Sequence, residues 1–310
     1  MQNVTGRRIY ASPYLLLTLT PLFWASNWIV GRGLADDVPP IALSFFRWLF
    51  AIVMLAPFAW PRVRRDWPHI RASWRILLLM GIVGVGMHNT LAYLGLHTTS
   101  ATNGVILNSF IPVMIVTFSW LFLGERLTRV QTCGVLVSFA GVLAILSHGS
   151  LQALLQFRLN IGDLWVMLAM ALWSIYSILL RWRPAGIDSI AFLFVIAVIG
   201  DLCVLPFYVG ETLLGSPMHW KPQYILAIAG VSLTSSIFAY IFWNRGVAEV
   251  GANVAGLFVH LMPVFGVILA WMLLDERVAP FHFAGIALIL TGIVITTRGA
   301  PNPAPAGIDD

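Results

Sequence analysis

Long and nearly uncharged apolar runs follow one another through this chain from Pro13 to Thr297. A bilayer core about 30 Å thick is crossed by roughly 20 helical residues, because each residue adds about 1.5 Å. Only 10% of the 310 residues are charged and the mean hydropathy is +0.86, whereas soluble domains carry roughly 25% charged residues. The runs therefore predict an all-α integral membrane protein with little chain left for a soluble domain.

Proline, glycine and charge clusters divide these runs into ten predicted transmembrane helices. The first run follows Arg7 and Arg8 but has no small-residue cleavage site, so we interpret it as a retained helix rather than a signal peptide. Segment 61–75 is expected to be a loop, and residues 300–310 a disordered tail. The predicted helices lie near residues 13–33, 40–60, 75–96, 102–123, 128–147, 161–181, 188–209, 222–244, 252–273 and 279–297.

The distribution of basic residues predicts how the helices are oriented. Lys and Arg resist translocation and collect in cytoplasmic loops, and the segment from Pro61 to Arg65 gives the strongest single indication. With a cytoplasmic N-terminus, the outer loops hold only Arg32, Arg158, Lys221 and Arg277. The inner loops then hold Arg7, Arg8, Arg62, Arg64, Arg65, Arg71, Arg75, Arg126, Arg129, Arg181, Arg183, Arg245 and Arg298. Both termini are therefore expected in the cytoplasm.

A fixed offset of 151 residues relates the two halves of the chain without a gap over about fifty residues. At an offset of 149, Trp24 also parallels Trp173. Five helices per half is an odd number, so the second half must enter the membrane with opposite polarity. The sequence thus predicts two inverted repeats, 1–150 and 151–299, or else a duplication that only builds a stable bundle. The pairs at offset 151 include Ala101 and Ala252, Pro112 and Pro263, Trp120 and Trp271, Gly134 and Gly285, and Gly141 and Gly292.

These paired motifs resemble the drug/metabolite transporter superfamily and, within it, the ten-helix EamA family. One pattern runs from Pro112 through Trp120 to Leu123-Gly124-Glu125-Arg126, and the other from Pro263 through Trp271 to Leu274-Asp275-Glu276-Arg277. The resemblance covers nearly the whole chain and implies solute transport without ATP hydrolysis. Asp275 stands where the first half has Gly124, a departure from symmetry at that turn.

A narrower resemblance is to the YddG-type bacterial amino-acid exporters, in chain size and aromatic richness. It implies a multi-pass protein of the bacterial inner membrane that exports amino acids. A carrier of drugs, nucleosides or other metabolites remains the alternative within transport, and a channel or membrane enzyme the alternative outside it.

Motifs for catalysis, ATP use and cofactor binding are missing from the sequence. It has no Gly-x-x-x-x-Gly-Lys-Ser/Thr loop, and Lys221 is its single lysine, so transport is expected to be facilitated or ion-coupled. Asp36-Asp37 lacks the spaced second acidic cluster of a metal-dependent membrane transferase, and no Gly-x-Ser-x-Gly or His-Glu-x-x-His occurs. Cys133 and Cys203 lie in apolar runs. We expect no enzyme activity, metal, cofactor or nucleic-acid partner. The expected partners are a small-molecule substrate and the lipid bilayer. The sequence does not predict an oligomeric state, and it is compatible with a monomer.

Polar and aromatic side chains at mid-membrane depth are the candidate binding residues, because a polar group in lipid needs a partner or a wet cavity. In our hypothesis Trp24 and Trp173 pack the apolar part of a zwitterion. The amino and carboxylate groups of the zwitterion bind four polar side chains, which are named below. The cavity wall is formed by helices one, three, four, six, eight and nine. The alternatives are aromatic packing, histidines satisfied by neighbours, and hydroxyls bonded to the preceding turn. The polar set is Asn27, His88, Asn108 and His260, and Tyr176 and Ser236 complete the candidate list.

Two intramembrane charges, Arg47 and Asp201, lie on corresponding helices of the two halves. They form an ion pair or line a water path in one hypothesis. In the other, which is favoured for Arg47, that side chain extends to the membrane surface and Asp201 bonds to backbone.

Four further charges and two prolines are candidate structural or moving parts. Pro112 and Pro263 are expected at mid-membrane, where loss of a backbone hydrogen bond gives a static kink or a hinge. The charges lie at helix ends and are expected to cap them or to form gating contacts between repeats. They are Glu125, Arg126, Glu276 and Arg277.

Overall fold

The computed structural model describes residues 12–34, 37–99, 104, 107–147, 149–150, 160–274 and 279–298, and the elements of regular secondary structure in these ranges are all helical. Glu276, Arg277 and the segment 300–310 lie outside the described residues. We number the helices α1 (Pro13–Leu34), α2 (Pro40–Ala72), α3 (Trp74–Thr98), α4 (Ile111–Leu123), α5 (Arg129–Leu146), α6 (Ile161–Trp182), α7 (Ser189–Leu213), α8 (Pro222–Val250), α9 (252–274) and α10 (Pro280–Arg298).

Eight of these helices are long and apolar enough to cross a bilayer, counted within the described ranges: α2, α3, α5 to α8, α10, and α9 through Leu269. The predicted all-α, multi-pass membrane protein is confirmed. Helix α1 has 22 residues but is not among the eight, and α4 has only 13. The count of ten crossings stays a prediction.

Helix α2 corrects the predicted loop over 61–75, because it continues through Pro57, Pro61 and Pro68 to Ala72. Its 33 residues measure about 50 Å, more than the roughly 30 Å hydrocarbon layer. Contacts with the connection between α6 and α7 hold the extension in place. Asp66 accepts a hydrogen bond from the backbone N–H of Asp188 at 2.8 Å, and Arg62 lies 3.4 Å from the Asp188 carboxylate.

Helices α3 and α8 are each interrupted by a seven-residue π-helical segment, Gly81–Met87 and Ser232–Phe238. The two segments lie 151 positions apart in the chain, the offset found between the halves. Glycines let the first segment approach α7 closely, since a Cβ on Gly86 would lie 2.8 Å from the carbonyl oxygen of Gly200. The prediction of two uninterrupted helices is therefore wrong at these two segments.

Helices α5 and α10 pack antiparallel through small residues. Gly134 faces Gly292 and Gly141 faces Gly285, and a Cβ on Gly141 would lie 2.6 Å from the carbonyl oxygen of Gly285. Close backbone approach through small residues is a common way for helices to associate in lipid. Under the 151-residue offset, 134 maps to 285 and 141 maps to 292, so the two contacts exchange with each other.

The two prolines expected at mid-membrane both follow irregular backbone: Pro112 lies near the start of α4, and Pro263 lies within α9 just after a tight turn. Pro112 is in the first turn of α4, where its missing N–H has no intrahelical acceptor to lose. Pro263 follows a 3₁₀ turn, Phe258–His260, that divides α9 before Leu261–Leu274. The chain is already irregular before each proline, so neither residue has to break a continuous helix.

Candidate functional site

A small cavity lies among helices α1, α2, α3, α4, α6, α8 and α9. Its volume is about 40 Å³, enough for the centres of only a few water molecules. Five of the predicted binding residues line it: Trp24, Asn27, His88, Asn108 and Trp173. The wall also includes Trp28, Arg47, Asn89, Tyr93, Met170, Tyr240 and Met262, and among the described residues that line it there is no Asp or Glu.

Equivalent residues of the two halves meet at this cavity. Asn89 donates a hydrogen bond from Nδ2 to the hydroxyl of Tyr240 at 3.1 Å, and these residues are 151 positions apart. The rings of Trp24 and Trp173, the pair at offset 149, lie 4.9 Å apart edge to face. The cavity is therefore built from both halves of the chain.

An aromatic layer separates the cavity from one end of the molecule. The Trp173 ring contacts those of Tyr176, Tyr240 and Trp243 at 5.2, 5.2 and 5.6 Å. The indole N–H of Trp243 donates to the Ser177 hydroxyl at 3.2 Å. Trp173 lines the cavity while Ser177, one helical turn further along α6, lines a larger recess beyond. The barrier is therefore about one turn of helix thick.

Arg47 and its neutral neighbours form the part of the cavity wall that belongs to α1, α2 and α3. Arg47 donates from Nη1 to Asn27 Oδ1 at 3.3 Å, and the Tyr93 hydroxyl donates to the same oxygen at 2.9 Å. The guanidinium carbon lies 5.3 Å from the Trp48 ring and 5.6 Å from the Tyr93 ring. Arg47 is 1% exposed, so the favoured interpretation that it extends to the membrane surface is wrong. Between the described residues Arg47 and Asp201 there is no ion pair.

His88 and Asn108 line the cavity and are also anchored. His88 donates from Nδ1 to the carbonyl oxygen of Ala169 at 2.8 Å, and its ring lies 4.9 Å from Trp173. Asn108 donates from Nδ2 to the Met262 sulfur at 3.0 Å. These bonds join α3 to α6 and the segment before α4 to α9, so both side chains are held in fixed orientations.

Three predicted binding residues do not line this cavity: Tyr176, Ser236 and His260. The Tyr176 hydroxyl donates to Asn244 Oδ1 at 2.7 Å. His260 is fully buried, with Nδ1 2.7 Å from the Ser138 hydroxyl and Nε2 3.0 Å from the carbonyl oxygen of Ser109. Both ring nitrogens thus contact neighbouring segments, which is the alternative given for a buried histidine, and His260 as a substrate ligand stays a prediction.

Sequence reasoning missed Tyr93 and Tyr240 as cavity residues, and it considered Arg47 only as one of two charges that form an ion pair or line a water path. The signal for Arg47 was its charge at mid-helix, since such a charge in lipid marks a functional site by default. Tyr240 follows from Asn89 by the 151-residue offset. Tyr93 had no signal, since a tyrosine near a helix end also fits the aromatic belt at the membrane surface.

The recess beyond the aromatic layer measures about 660 Å³ and is lined by loops of both halves. Glu125 forms an ion pair with Arg181 and accepts a hydrogen bond from Asn253 at 3.4 Å. This contact joins the α4–α5 connection to the second half, as a gating contact requires. Burial lowers the pKa of Arg183, which also lines the recess and bonds the carbonyl oxygen of Ile187 at 3.1 Å.

The opposite end of the molecule has a recess of about 420 Å³. Glu211 lines it and accepts hydrogen bonds from the backbone N–H groups of Ile41 at 3.1 Å and Ala42 at 2.8 Å. A carboxylate at the first turn of α2 satisfies N–H groups that have no partner within the helix. This contact holds α7 of the second half against α2 of the first.

A multi-pass helical protein with a cavity between its halves and a recess at either end has the arrangement that carriers of solutes across a bilayer use. The chain matches the EamA-like transporter family over residues 11–147 and again over residues 160–298. It belongs to that family, as the paired motifs indicated, and is a membrane transporter of small molecules.

Similar proteins of known sequence agree with this assignment. An uncharacterized transporter of Archaeoglobus fulgidus is 28% identical over 290 residues, 92% of this chain and 96% of that protein. The uncharacterized transporter YetK of Bacillus subtilis is 26% identical over 301 residues, 94% of this chain and 89% of that protein. One solved crystal structure superposes with a TM-score of 0.75 at 19% identity, covering 94% of this chain and 98% of that one, a likeness of fold.

Proposed function

We propose that this transporter works by alternating access between two inverted five-helix repeats, without ATP, and exports amino acids with aromatic or other apolar side chains from the bacterial cytoplasm. The observation that carries the proposal is the position of the small cavity, where equivalent residues of the two halves meet between two recesses. Rocking of one half against the other then opens the cavity to one recess at a time.

Contacts between equivalent residues support the inverted relation. A residue that touches its own equivalent lies on or near a two-fold axis, and this holds for Asn89 with Tyr240 and for Ser109 with His260. The antiparallel packing of α5 on α10, which occupy corresponding places in the halves, supports opposite polarity. The double match to one family supports a duplication at residues 1–150 and 151–299.

The arginine-rich end supports the proposed orientation in the inner membrane. The 660 Å³ recess includes Arg181 and Arg183, and the basic extension of α2 reaches the same end through Arg62 and Asp188. Since basic loops stay in the cytoplasm, this recess faces the cytoplasm and both termini lie on that side.

The cavity wall supports an amino acid with an apolar side chain as cargo. Trp24 and Trp173 offer faces and edges for an aromatic or aliphatic group, and Asn27, His88 and Asn108 offer polar groups nearby. A volume of about 40 Å³ is too small for an amino acid, so the walls must separate to admit cargo. A drug, nucleoside or other metabolite is the alternative cargo.

Counterflow in proteoliposomes tests the proposal. Vesicles loaded with unlabelled phenylalanine should accumulate labelled phenylalanine, with saturation, above protein-free vesicles. Repeating the assay with and without a proton gradient identifies ion coupling. Absence of flux for all twenty amino acids, together with flux of a nucleoside or a drug, would replace the amino-acid proposal. Flux without saturation would indicate a channel, and chemical change of the solute an enzyme.

A further inference from the structure

Arg47 is a buried cation with an unused edge. Its Nη1 donates to Asn27, whereas its Nε and Nη2 have no hydrogen-bond partner among the described residues. The side chain is 1% exposed and lines the small cavity. A buried donor without a partner is costly, and the cost is greater for a charged group.

The two unused nitrogens form one side of the planar guanidinium. Nε–H and the outward N–H of Nη2 are parallel, which matches the two oxygens of a carboxylate and permits a bidentate ion pair. The Asn27 contact occupies the other nitrogen, and the rings of Trp48 and Tyr93 flank the group at 5.3 and 5.6 Å. The guanidinium is thus held in place with its carboxylate-binding edge free.

The remainder of the wall favours an anion. Among the described residues that line the cavity there is no carboxylate to neutralise Arg47. The indole N–H of Trp173, which also lines the cavity and is 2% exposed, has no partner either. The wall therefore offers unused donors and one positive charge, whereas a bound ammonium group would meet only neutral acceptors.

We propose that Arg47 binds the carboxylate of the transported molecule and that the substrate class is an organic carboxylate with an apolar or aromatic body, in which an amino group is dispensable. The proposal rests on the transport function above and narrows its cargo. The body packs at Trp24 and Trp173, and the carboxylate takes Nε and Nη2 of Arg47. Cargo thus neutralises the cavity before the halves close around it.

Three probes of one shape test the idea in the wild-type protein: phenylalanine, 3-phenylpropionate, which lacks the amine, and phenethylamine, which lacks the carboxylate. Binding is measured by the shift of thermal unfolding in detergent and by competition against phenylalanine counterflow. We expect 3-phenylpropionate to bind within about threefold of phenylalanine and phenethylamine to bind about thirtyfold more weakly, as for loss of a buried charge partner. Equal binding by phenethylamine, or stabilisation by none of the probes, overturns the proposal.

Variants separate binding from folding. Arg47→Gln should remove the preference for 3-phenylpropionate over phenethylamine, whereas a purely structural role would weaken both probes equally. Arg47→Lys keeps the charge but loses the planar fork, so it should raise the KM of counterflow about tenfold with kcat largely retained. Arg245→Gln, a control on the partly exposed Arg245–Glu249 pair away from the cavity, should leave both properties unchanged. If Arg47→Gln does not fold, the KM and kcat of Arg47→Lys decide.

The transport proposal and the carboxylate-site proposal can be contradicted independently of each other. Probes that stabilise the protein through Arg47 without any counterflow would contradict the transport proposal and leave the carboxylate site in place. Counterflow of phenylalanine that is insensitive to Arg47→Lys and equally inhibited by phenethylamine would keep the transporter and remove the carboxylate site.

Discussion

Asn89 and Tyr240, at equivalent positions of the two halves, share a hydrogen bond of 3.1 Å immediately after the two π-helical segments end. The Tyr240 hydroxyl also donates to the carbonyl oxygen of Gly84 at 2.7 Å, inside the first segment. A π-helical segment leaves irregular backbone groups, and this tyrosine satisfies one of them. The joint between the halves and the irregular turn are thus stabilised together.

Tyr240→Phe should therefore lower stability without changing the shape of the core. Two hydrogen bonds are lost in a buried site, which costs about 1–3 kcal/mol and lowers Tm by several degrees. Asn89→Ala and the double variant complete a double-mutant cycle in detergent. A less than additive double variant is expected, because both single changes remove the same bond. Additive losses would contradict direct coupling.

Gly141→Ala should weaken the packing of α5 on α10. The new methyl would lie 2.6 Å from the carbonyl oxygen of Gly285, and overpacking of this kind costs about 1–3 kcal/mol. Gly230→Ala is the matched control, since its Cβ would have nothing within 4 Å. Thermal unfolding in detergent should show a lower Tm for the first variant only. Equal behaviour of the two variants would remove the close approach as a source of stability.

Glu125→Gln should loosen the 660 Å³ recess, because it removes the ion pair with Arg181 that joins the two halves. Both side chains are partly exposed, so the pair is worth at most about 1 kcal/mol, or about a fivefold shift in population. The measurement is the rate at which a thiol reagent labels Ser177→Cys, in a background where Cys133 and Cys203 are replaced. This labelling rate should rise in Glu125→Gln. The charge swap Glu125→Arg with Arg181→Glu should restore slow labelling; if it does not, the ion pair is not the gate.

The proposed topology predicts which connections are exposed on each side of the membrane. Ala185→Cys, between α6 and α7, should be labelled by an impermeant thiol reagent only from the cytoplasmic side. Ser216→Cys, between α7 and α8, should be labelled only from the outer side. Both positions are exposed, and they lie at opposite ends of α7. Labelling of both from one side would contradict the crossing of α7 and the inverted repeats.

The sequence was sufficient for the fold class because the apolar runs depend only on the requirements of lipid. The ends of the helices were harder to predict from the sequence. Proline predicts the end of α2 near residue 60, but contacts of Asp66 and Arg62 with Asp188 extend the helix to Ala72. Such contacts join residues more than a hundred positions apart, so no local pattern reports them.

The candidate site was predictable in part, for a similar reason. Trp24 and Trp173 were found because scarce residues recur at a fixed offset, and the structure places their rings 4.9 Å apart. His260 was a reasonable candidate by chemistry, but its two partners come from α5 and from the segment before α4. Whether a buried polar group faces a cavity or a neighbour depends on tertiary packing.

The paired π-helical segments have a mechanical consequence. A π turn accommodates a surplus residue relative to an α turn, and removing one residue from an α-helical register rotates the remainder of the helix by about 100°. Conversion of Gly81–Met87 to regular helix would therefore swing His88 and Asn89 around the axis of α3 and away from their present partners. The same conversion at Ser232–Phe238 would turn Tyr240, so a change of helix type in either segment would reorient the part of the cavity wall that follows it.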